Sequence, residues 1–465
     1  MKDSTLKKLR EIVGSQSVLT AKEELLCHSY DATRRSALPE VVVRPENVEQ
    51  VAAVARLCTE ERIPLTPRGA GTGLSGGSVP LKGGVLLSLT RMKRIRELVL
   101  EDLYAVVEAG MVTEELQTTV EASSLFYPPD PASQSSCTIG GNVATSAGGL
   151  RCLKYGVTKN YLMGLEAVLP TGEVIATGAR TVKSVVGFDL TRLICGSEGT
   201  LAIVTAATLK LIPLPEHRVT ILAAFKELEQ AARASADVIS AGATPSILEI
   251  MDPVTVSVVS RESETVLPPE SEGCSLLLAE ADGFREAAEI EAERVQKVCS
   301  DSGAVFLRKS SETEERENLW QARRGVLAAL AKLKPITILE DVTVPRSRVV
   351  EMIRSIEEIG KKYDLLVATF GHAGDGNLHP TILLDAPFTE KAARVEKAVA
   401  EIFGKALSLG GTLSGEHGIG IDKAGFLGEE IGEHALETMR RLKEVFDPEG
   451  ILNPGKLFGG AESES

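Results

Sequence analysis

Residues 40–63 pass from a short β-rich run, Val41 to Pro45, into a segment with helical spacing. Over Glu46–Arg62, Val48, Val51, Ala52, Ala55 and Leu57 fall on one side, which predicts an amphipathic helix. Ile63–Pro67 reads as extended. Residues 85–110 hold two further strands, VLLSL and YAVVEAG, and a helix is predicted over Thr113–Ser124. Residues 128–150 show neither period and are rich in Gly, Ser and Thr, so they read as a binding loop. Leu165–Gly178 reads as a hairpin turning at Pro170-Thr171-Gly172, and the run from Gly199 to Pro213 closes this region.

The texture changes after Pro213–Glu216. A strand (TILAAF) precedes a helix over Leu228–Ala241, and SILEIMD is a further strand. Cys274–Gly283 reads as a strand, and Glu286–Ser302 as a long charged helix. This alternation continues through Tyr363 and predicts a second α+β domain. A helix is expected over Gly432–Val445, and the polar tail Ala461–Ser465 is expected to fray. The expected division is residues 1–213, 214–410 and a returning segment 411–465.

At 465 residues the chain exceeds one ordinary core. It is 43% hydrophobic and 25% charged, the balance of a globular protein. The formal charge of −14 and the lack of a dense Lys/Arg block argue against nucleic acid as a partner. No apolar run approaches the length of a transmembrane helix, and Met1–Gly14 lacks the apolar core of a signal peptide. The seven cysteines are scattered and none forms a CxxC pair, which argues against a disulfide framework or an iron–sulfur cluster. A cytoplasmic location is expected, with any membrane association made through a partner.

Forty-two glycines point to tight turns and close approach of backbone to a ligand. The densest run is Arg68-Gly69-Ala70-Gly71-Thr72-Gly73-Leu74-Ser75-Gly76-Gly77-Ser78. It contains a formal GxGxxG at Gly71, Gly73 and Gly76. A Rossmann turn needs a helix opening at its end, and Val79-Pro80-Leu81-Lys82-Gly83-Gly84 would break one. Free main-chain N–H groups and the hydroxyls of Thr72, Ser75 and Ser78 could still receive a pyrophosphate. Taken alone, the run reads equally well as a glycine-rich surface loop.

Two compact motifs late in the chain carry three of the six histidines: Gly371-His372-Ala-Gly-Asp375-Gly-Asn377-Leu-His379 and Ser414-Gly-Glu416-His417-Gly. Two imidazoles and one carboxylate suit a divalent cation. Asp375 is readable as an orienting partner for an imidazole or as a turn cap. His434 falls in a charged helix and is expected in solvent, while His28 and His217 lie in no motif.

Three more segments complete a pattern: Pro128 to Asn142, Cys195-Gly-Ser-Glu198-Gly199-Thr-Leu, and Asn453-Pro-Gly-Lys456. With the glycine run, in this order, they resemble the FAD-binding domain of the vanillyl-alcohol-oxidase/para-cresol-methylhydroxylase (PCMH) type. The resemblance is nearest to the D-lactate dehydrogenase and glycolate oxidase large-subunit branch and covers nearly the whole chain. It implies an α+β chain: a two-subdomain PCMH-type FAD-binding domain plus an α+β substrate (cap) domain with an antiparallel sheet. By this resemblance Pro67, Arg68, Gly69, Ala70, Gly71, Thr72 and Gly73, with Gly76, Gly77 and Ser78, cradle the pyrophosphate. Pro131, Ser135, Thr138, Gly140, Gly141, Asn142, Ala144, Thr145 and Gly148 line the adenosine and flavin path. Glu198, Gly199 and Ile203 lie near the adenine, and Asn453 returns from the C-terminus. No histidine lies between His28 and His217, so attachment through histidine is excluded there and non-covalent FAD is expected.

The resemblance further implies that His372, His379 and Glu416 hold a divalent metal (Zn, Mn or Fe), that His417 is the general base, and that Arg323 binds the substrate carboxylate. A cation at the hydroxyl oxygen stabilises developing alkoxide, and an imidazole can take the proton near neutrality. Arg324 is expected to be a solvated neighbour. Relatives acting on dicarboxylates carry a Thr and a Lys where this chain has Leu327 and Leu339, with Lys334 nearby. That departure favours a small monocarboxylate, D-lactate or glycolate. The alternatives are a D-2-hydroxyglutarate-type dehydrogenase and a non-redox enzyme of the alkylglycerone-phosphate-synthase type. Electrons would leave to an external acceptor: an electron-transferring flavoprotein, an iron–sulfur subunit, a quinone or a cytochrome.

Overall fold

The computed structural model describes residues 1–262, 267–385, 388 and 391–459. The expected fraying tail at 461–465 lies outside them. The chain divides into two compact units. One comprises Met1–Gly149, Val157–Leu214 and Glu416–Ser465; the other comprises Leu150–Gly156 and Pro215–Gly415.

The first unit holds a four-stranded sheet of β1 (Val18–Leu19), β2 (Val41–Val43), β3 (Leu65–Arg68) and β4 (Val85–Ser88). Their order is β1-β2-β4-β3. β4 runs parallel to both β2 and β3. The helix Val48–Glu61 connects β2 to β3 and buries Val51, Ala52, Ala55 and Leu57 of the stripe read from the sequence, together with Val54 and Cys58, while Val48 is only partly buried. It starts two residues later than expected because the Asn47 side chain caps it, accepting the Gln50 N–H at 3.0 Å. The C-terminal segment adds to the free edge of β3: Leu65 N–H donates to the Ile451 carbonyl and Asn453 N–H to the Leu65 carbonyl, both at 2.8 Å.

A second, antiparallel sheet in this unit has the order β5-β6-β10-β8-β9. Its strands are β5 (Ile95–Val99), β6 (Tyr104–Glu108), β8 (Leu162–Val168), β9 (Val174–Gly178) and β10 (Ile203–Lys210). β7 (Leu125–Phe126) and β11 (Ile212–Pro213) form a small separate pair. β5 was not visible in the sequence because its flank, Arg94 to Glu97, looks like solvated charge. In the fold, Glu108 of β6 has a fully buried side chain and accepts from Arg96 of β5 and from the exposed Arg94 just before it, so this charge is paired with the sheet.

The second unit is built on an eight-stranded antiparallel sheet. Its strands are β12 (His217–Phe225), β13 (Ile247–Met251), β14 (Ser275–Gly283), β15 (Phe306–Ser310), β16 (Ile336–Leu339), β17 (Val342–Thr343), β18 (Leu366–His372) and β19 (Asn377–Leu384). The order is β15-β12-β14-β13-β18-β19-β16, and β17 also pairs with β19. Helices Pro253–Glu262, Thr313–Arg324 and Val326–Leu333 share a core with Leu222, Ile247, Met251, Leu276 and Leu278. Helices Leu228–Ser240, Arg285–Asp301 and Val349–Lys362 also pack on the sheet. The central strands are therefore covered on both faces, and β13 and β14 are buried almost throughout.

Three buried acids interrupt these apolar strands, Glu249, Glu280 and Asp282. Glu280 on β14 and Glu249 on β13 are buried, and each meets an arginine of the helix Thr313–Arg324. That helix turns Arg316, Trp320 and Arg323 inward at i, i+4 and i+7. Arg316 Nη2 and Trp320 Nε1 donate to the same Glu280 oxygen at 2.8 and 3.1 Å. Removing one partner of such a pair costs about 3–5 kcal/mol, because the other charge stays buried. Among the described residues, no helix is long and apolar enough to cross a membrane.

Candidate active site

Pro67 and Arg68 end β3, and residues 69–84 run in turns and bends with no helix among them. The GxGxxG match is therefore not a Rossmann turn. Arg68 is buried and donates to Ser78 Oγ at 3.2 Å. Burial pushes its guanidinium below its ordinary value, against the pull of Asp31. Burial also pushes the Asp31 carboxyl up, opposed by hydrogen bonds from Thr33 and by Arg68. Asp31 Oδ1 accepts from Thr33, while Oδ2 is buried with no hydrogen-bond partner, on the side facing Gly73.

Asn453 lies beside this run. Its Nδ2 donates to the Gly77 carbonyl at 2.9 Å and to the Glu198 carbonyl at 2.8 Å. Lys456 lies three residues further on. Its Nζ donates to the carbonyl of Val79 at 2.5 Å and to Asn453 Oδ1 at 3.0 Å, tying down the far end of the glycine run. Burial lowers its ammonium pKa to about 8, against the pull of Asp31 and Glu198.

The stretch read as an unstructured loop contains a helix, Ile139–Thr145. Its glycines hid it. Gly140 is there for contact: a Cβ at this position would stand 2.7 Å from the Ala109 Cβ. Thr138 caps the helix by accepting the Gly141 N–H, and Asn142 Nδ2 donates to Thr113 Oγ1 at 2.8 Å. Pro131 and Ser135 lie in the preceding turns, Ala144 and Thr145 on the last turn of the helix, and Gly148 just beyond it. The Glu198 N–H donates to the Ala144 carbonyl at 2.7 Å, and Ile203 opens β10. Ser197 Oγ, like Asp31 Oδ2, is buried with no hydrogen-bond partner.

Glu198 has a task that the sequence did not suggest. Both carboxylate oxygens accept backbone N–H groups of the returning segment, from Ile419 and from Gly420, each at 2.7 Å. Burial raises its carboxyl pKa, opposed by these two hydrogen bonds. Gly420 has φ +50°, and a Cβ there would fall on the Ser75 carbonyl. His417, three residues earlier, has a buried side chain whose Nε2 lies 3.8 Å from Glu416 Oε1.

In the second unit, β18 and β19 form a hairpin that sets Phe370 opposite His379 and His372 opposite Asn377. Both histidines are buried, with rings edge to face and centroids 5.1 Å apart. Each offers a ring nitrogen within 4.8 Å of the other's. Asp375 accepts the Asn377 N–H at 3.2 Å within the turn. Asn377 Nδ2 donates to Asp341 Oδ1 at 2.6 Å, and Ser414 Oγ to Asp341 Oδ2 at 2.6 Å. Glu416, the third expected ligand, is peptide-bonded to Gly415, where the chain leaves this unit.

Arg323 is buried, with its guanidinium carbon 4.8 Å above the Phe370 ring. Its Nε and Nη2 meet Glu249 Oε2 at 2.8 and 2.6 Å. The other oxygen, Glu249 Oε1, lies 2.5 Å from His372 Nδ1. Burial pushes the Glu249 carboxyl up, but His372 and Arg323 outweigh it and hold it below its ordinary value. The sequence reading missed Glu249; an acid inside the apolar run Ile247-Leu-Glu-Ile-Met251 was the available signal. Arg324 is only partly exposed, 3.9 Å from Glu317. Lys334 pairs with Asp385 at 2.8 Å.

Residues 39–178 match the family model described as FAD binding domain, and residues 214–457 match that of FAD linked oxidases, C-terminal domain. The chain is 44% identical to the glycolate oxidase subunit GlcD of Bacillus subtilis, over 97% of this chain and 96% of the relative. It is 37% identical to a D-lactate dehydrogenase of Anaerostipes hadrus, with the same two shares covered. Among solved structures, substrate-bound p-cresol methylhydroxylase superposes with a TM-score of 0.81 at 17% identity, covering 100% of this chain and 98% of that one. An alkyldihydroxyacetonephosphate synthase superposes with a TM-score of 0.77 at 18% identity, covering 98% and 86%. At such identities the structural likeness speaks for the fold alone.

Proposed function

The chain belongs to the FAD-linked oxidase family, in the branch of glycolate oxidase GlcD subunits and D-lactate dehydrogenases, and from that premise we propose that it oxidises a small D-2-hydroxy acid to the 2-oxo acid. D-lactate is the first candidate and glycolate the second. The observation that carries this reading is a guanidinium and two imidazoles gathered in one buried cluster of the second unit.

The first unit fits the cofactor. It offers backbone N–H groups in the run from Gly69 to Ser78, and two buried oxygens, Asp31 Oδ2 and Ser197 Oγ, that lack partners. Pro67, Arg68, Gly69, Ala70, Gly71, Thr72, Gly73, Gly76, Gly77 and Ser78 would hold the pyrophosphate. Pro131, Ser135, Thr138, Gly140 to Asn142, Ala144, Thr145, Gly148, Glu198, Gly199, Ile203 and Asn453 would line the remainder. When bound, FAD supplies the two-electron acceptor.

Arg323 binds the substrate carboxylate, with Nη1 outside its pair with Glu249. His372, His379 and Glu416 form a two-imidazole, one-carboxylate donor set suited to Zn, Mn or Fe. A bound cation supplies positive charge at the hydroxyl oxygen. His417 accepts the hydroxyl proton. Lys334 is paired with Asp385, and leucines stand at 327 and 339, which favours a small monocarboxylate over a dicarboxylate. The electrons leave to an external protein, an electron-transferring flavoprotein or an iron–sulfur subunit.

The test is anaerobic bleaching of the flavin absorbance by D-lactate, L-lactate, glycolate and D-2-hydroxyglutarate in turn. Bleaching by D-lactate or glycolate is expected. Bleaching by none of them would sink the reading, and bleaching by D-2-hydroxyglutarate alone would move it to a dicarboxylate.

A further inference from the structure

Glu249 and Glu280 invite comparison, because they lie on neighbouring strands and pair with arginines of one helix. Glu280 gathers Arg316, Trp320 and Thr220, an arrangement that holds the helix to the sheet. Glu249 does this and something more. One oxygen holds Arg323 along its Nε–Nη2 edge, and the other holds His372 by Nδ1. A carboxylate paired with arginine can only accept, so the proton between Glu249 and His372 sits on Nδ1. In the neutral imidazole the remaining lone pair of His372 is then on Nε2.

We propose that Glu249 is a positioning residue that fixes His372 as the Nδ1–H tautomer, with Nε2 presented to a divalent cation, and at the same time holds Arg323 edge-on with Nη1 presented to the substrate carboxylate. The proposal rests on the metal-assisted reading above. It gives the buried cluster a task beyond stability: apolar residues replacing Glu249 and its partners together would hold helix to sheet as well, since burying charge costs several kcal/mol unless it is paired. It also ties the two substrate-facing groups together. Whatever shifts Glu249 moves the imidazole and the guanidinium as one body.

Two measurements on the FAD-loaded protein decide it. In the metal-free wild type, 15N-histidine long-range spectra should show one imidazole as the Nδ1–H tautomer, and its signal should vanish in His372→Gln. An Nε2–H tautomer for His372 would overturn the proposal. In Mn2+ and Zn2+ titrations, Glu249→Gln should bind about 10- to 100-fold more weakly than wild type. Glu249→Asp should fall between them, and serves as the measured variant if Glu249→Gln does not fold. Glu280→Gln is the structural control: it should lower Tm while its metal affinity stays within about twofold. Equal metal affinity in Glu249→Gln and wild type would also overturn the proposal. If wild type takes up neither metal, the metal reading itself fails, and the tautomer alone decides whether Glu249 positions His372.

Discussion

The Ser75 hydroxyl donates to the backbone carbonyl of His417 at 3.0 Å, across 342 residues of chain. In return the Ile421 N–H donates to the Ser75 carbonyl at 2.7 Å. With the two bonds to Glu198, the loop that carries the proposed base is fastened directly to the glycine run. Gly420→Ala should break this fastening. Its positive φ and the carbonyl in its path predict a loss of about 1–3 kcal/mol in urea denaturation. Flavin reduction should slow while the flavin stays bound.

His417→Ala separates cofactor binding from chemistry. The fastening above uses only the backbone of His417, so the visible flavin spectrum should be retained. Loss of a positioned base should lower kcat with D-lactate by about 10²–10⁴. Full activity in this variant would remove His417 from the base role.

Metal removal gives a third check. Dialysis against a chelator should abolish substrate reduction of the flavin, and Mn2+ or Zn2+ should restore it. His379→Ala should fail to recover after the same treatment, because one of the two imidazoles is gone.

Lys456 makes stability depend on pH. Its folded pKa, about 8, lies below the ordinary 10.5. Between those values the unfolded chain keeps a proton that the folded chain has released, so stability rises with pH. The FAD-free protein should gain up to about 1.4 kcal/mol per pH unit from this group over that window, and Lys456→Met should lack the gain. Urea denaturation at pH 8 and pH 10 measures the difference. The same slope in both proteins would refute the assignment.

The sequence made the regular elements legible where one period dominated. The Val48–Glu61 stripe is an example, since a single apolar face fixes the period. It failed at β5 and at the Ile139–Thr145 helix for two different reasons. At β5, Arg94 and Arg96 looked like solvent-facing charge, because Glu108, their buried partner, lies on the next strand. At the helix, glycines that permit close packing imitated a loop. The two histidines of the β18–β19 hairpin were legible because they share one motif. Glu249 was not, because its importance comes from two partners 74 and 123 residues away, which only the sheet brings together.

The edge of β3 has a consequence for synthesis. Leu65 is made 386 and 388 residues before its edge partners, Ile451 and Asn453. At about 5–20 residues per second, that edge would wait roughly 20–80 s on the ribosome before the segment that bridges to it exists. An unpaired edge is a template for intermolecular pairing, and β3 carries Pro67 and Arg68, residues that blunt it. During that interval β3 depends for protection on its own Pro67 and Arg68, not on the partner that finally covers it.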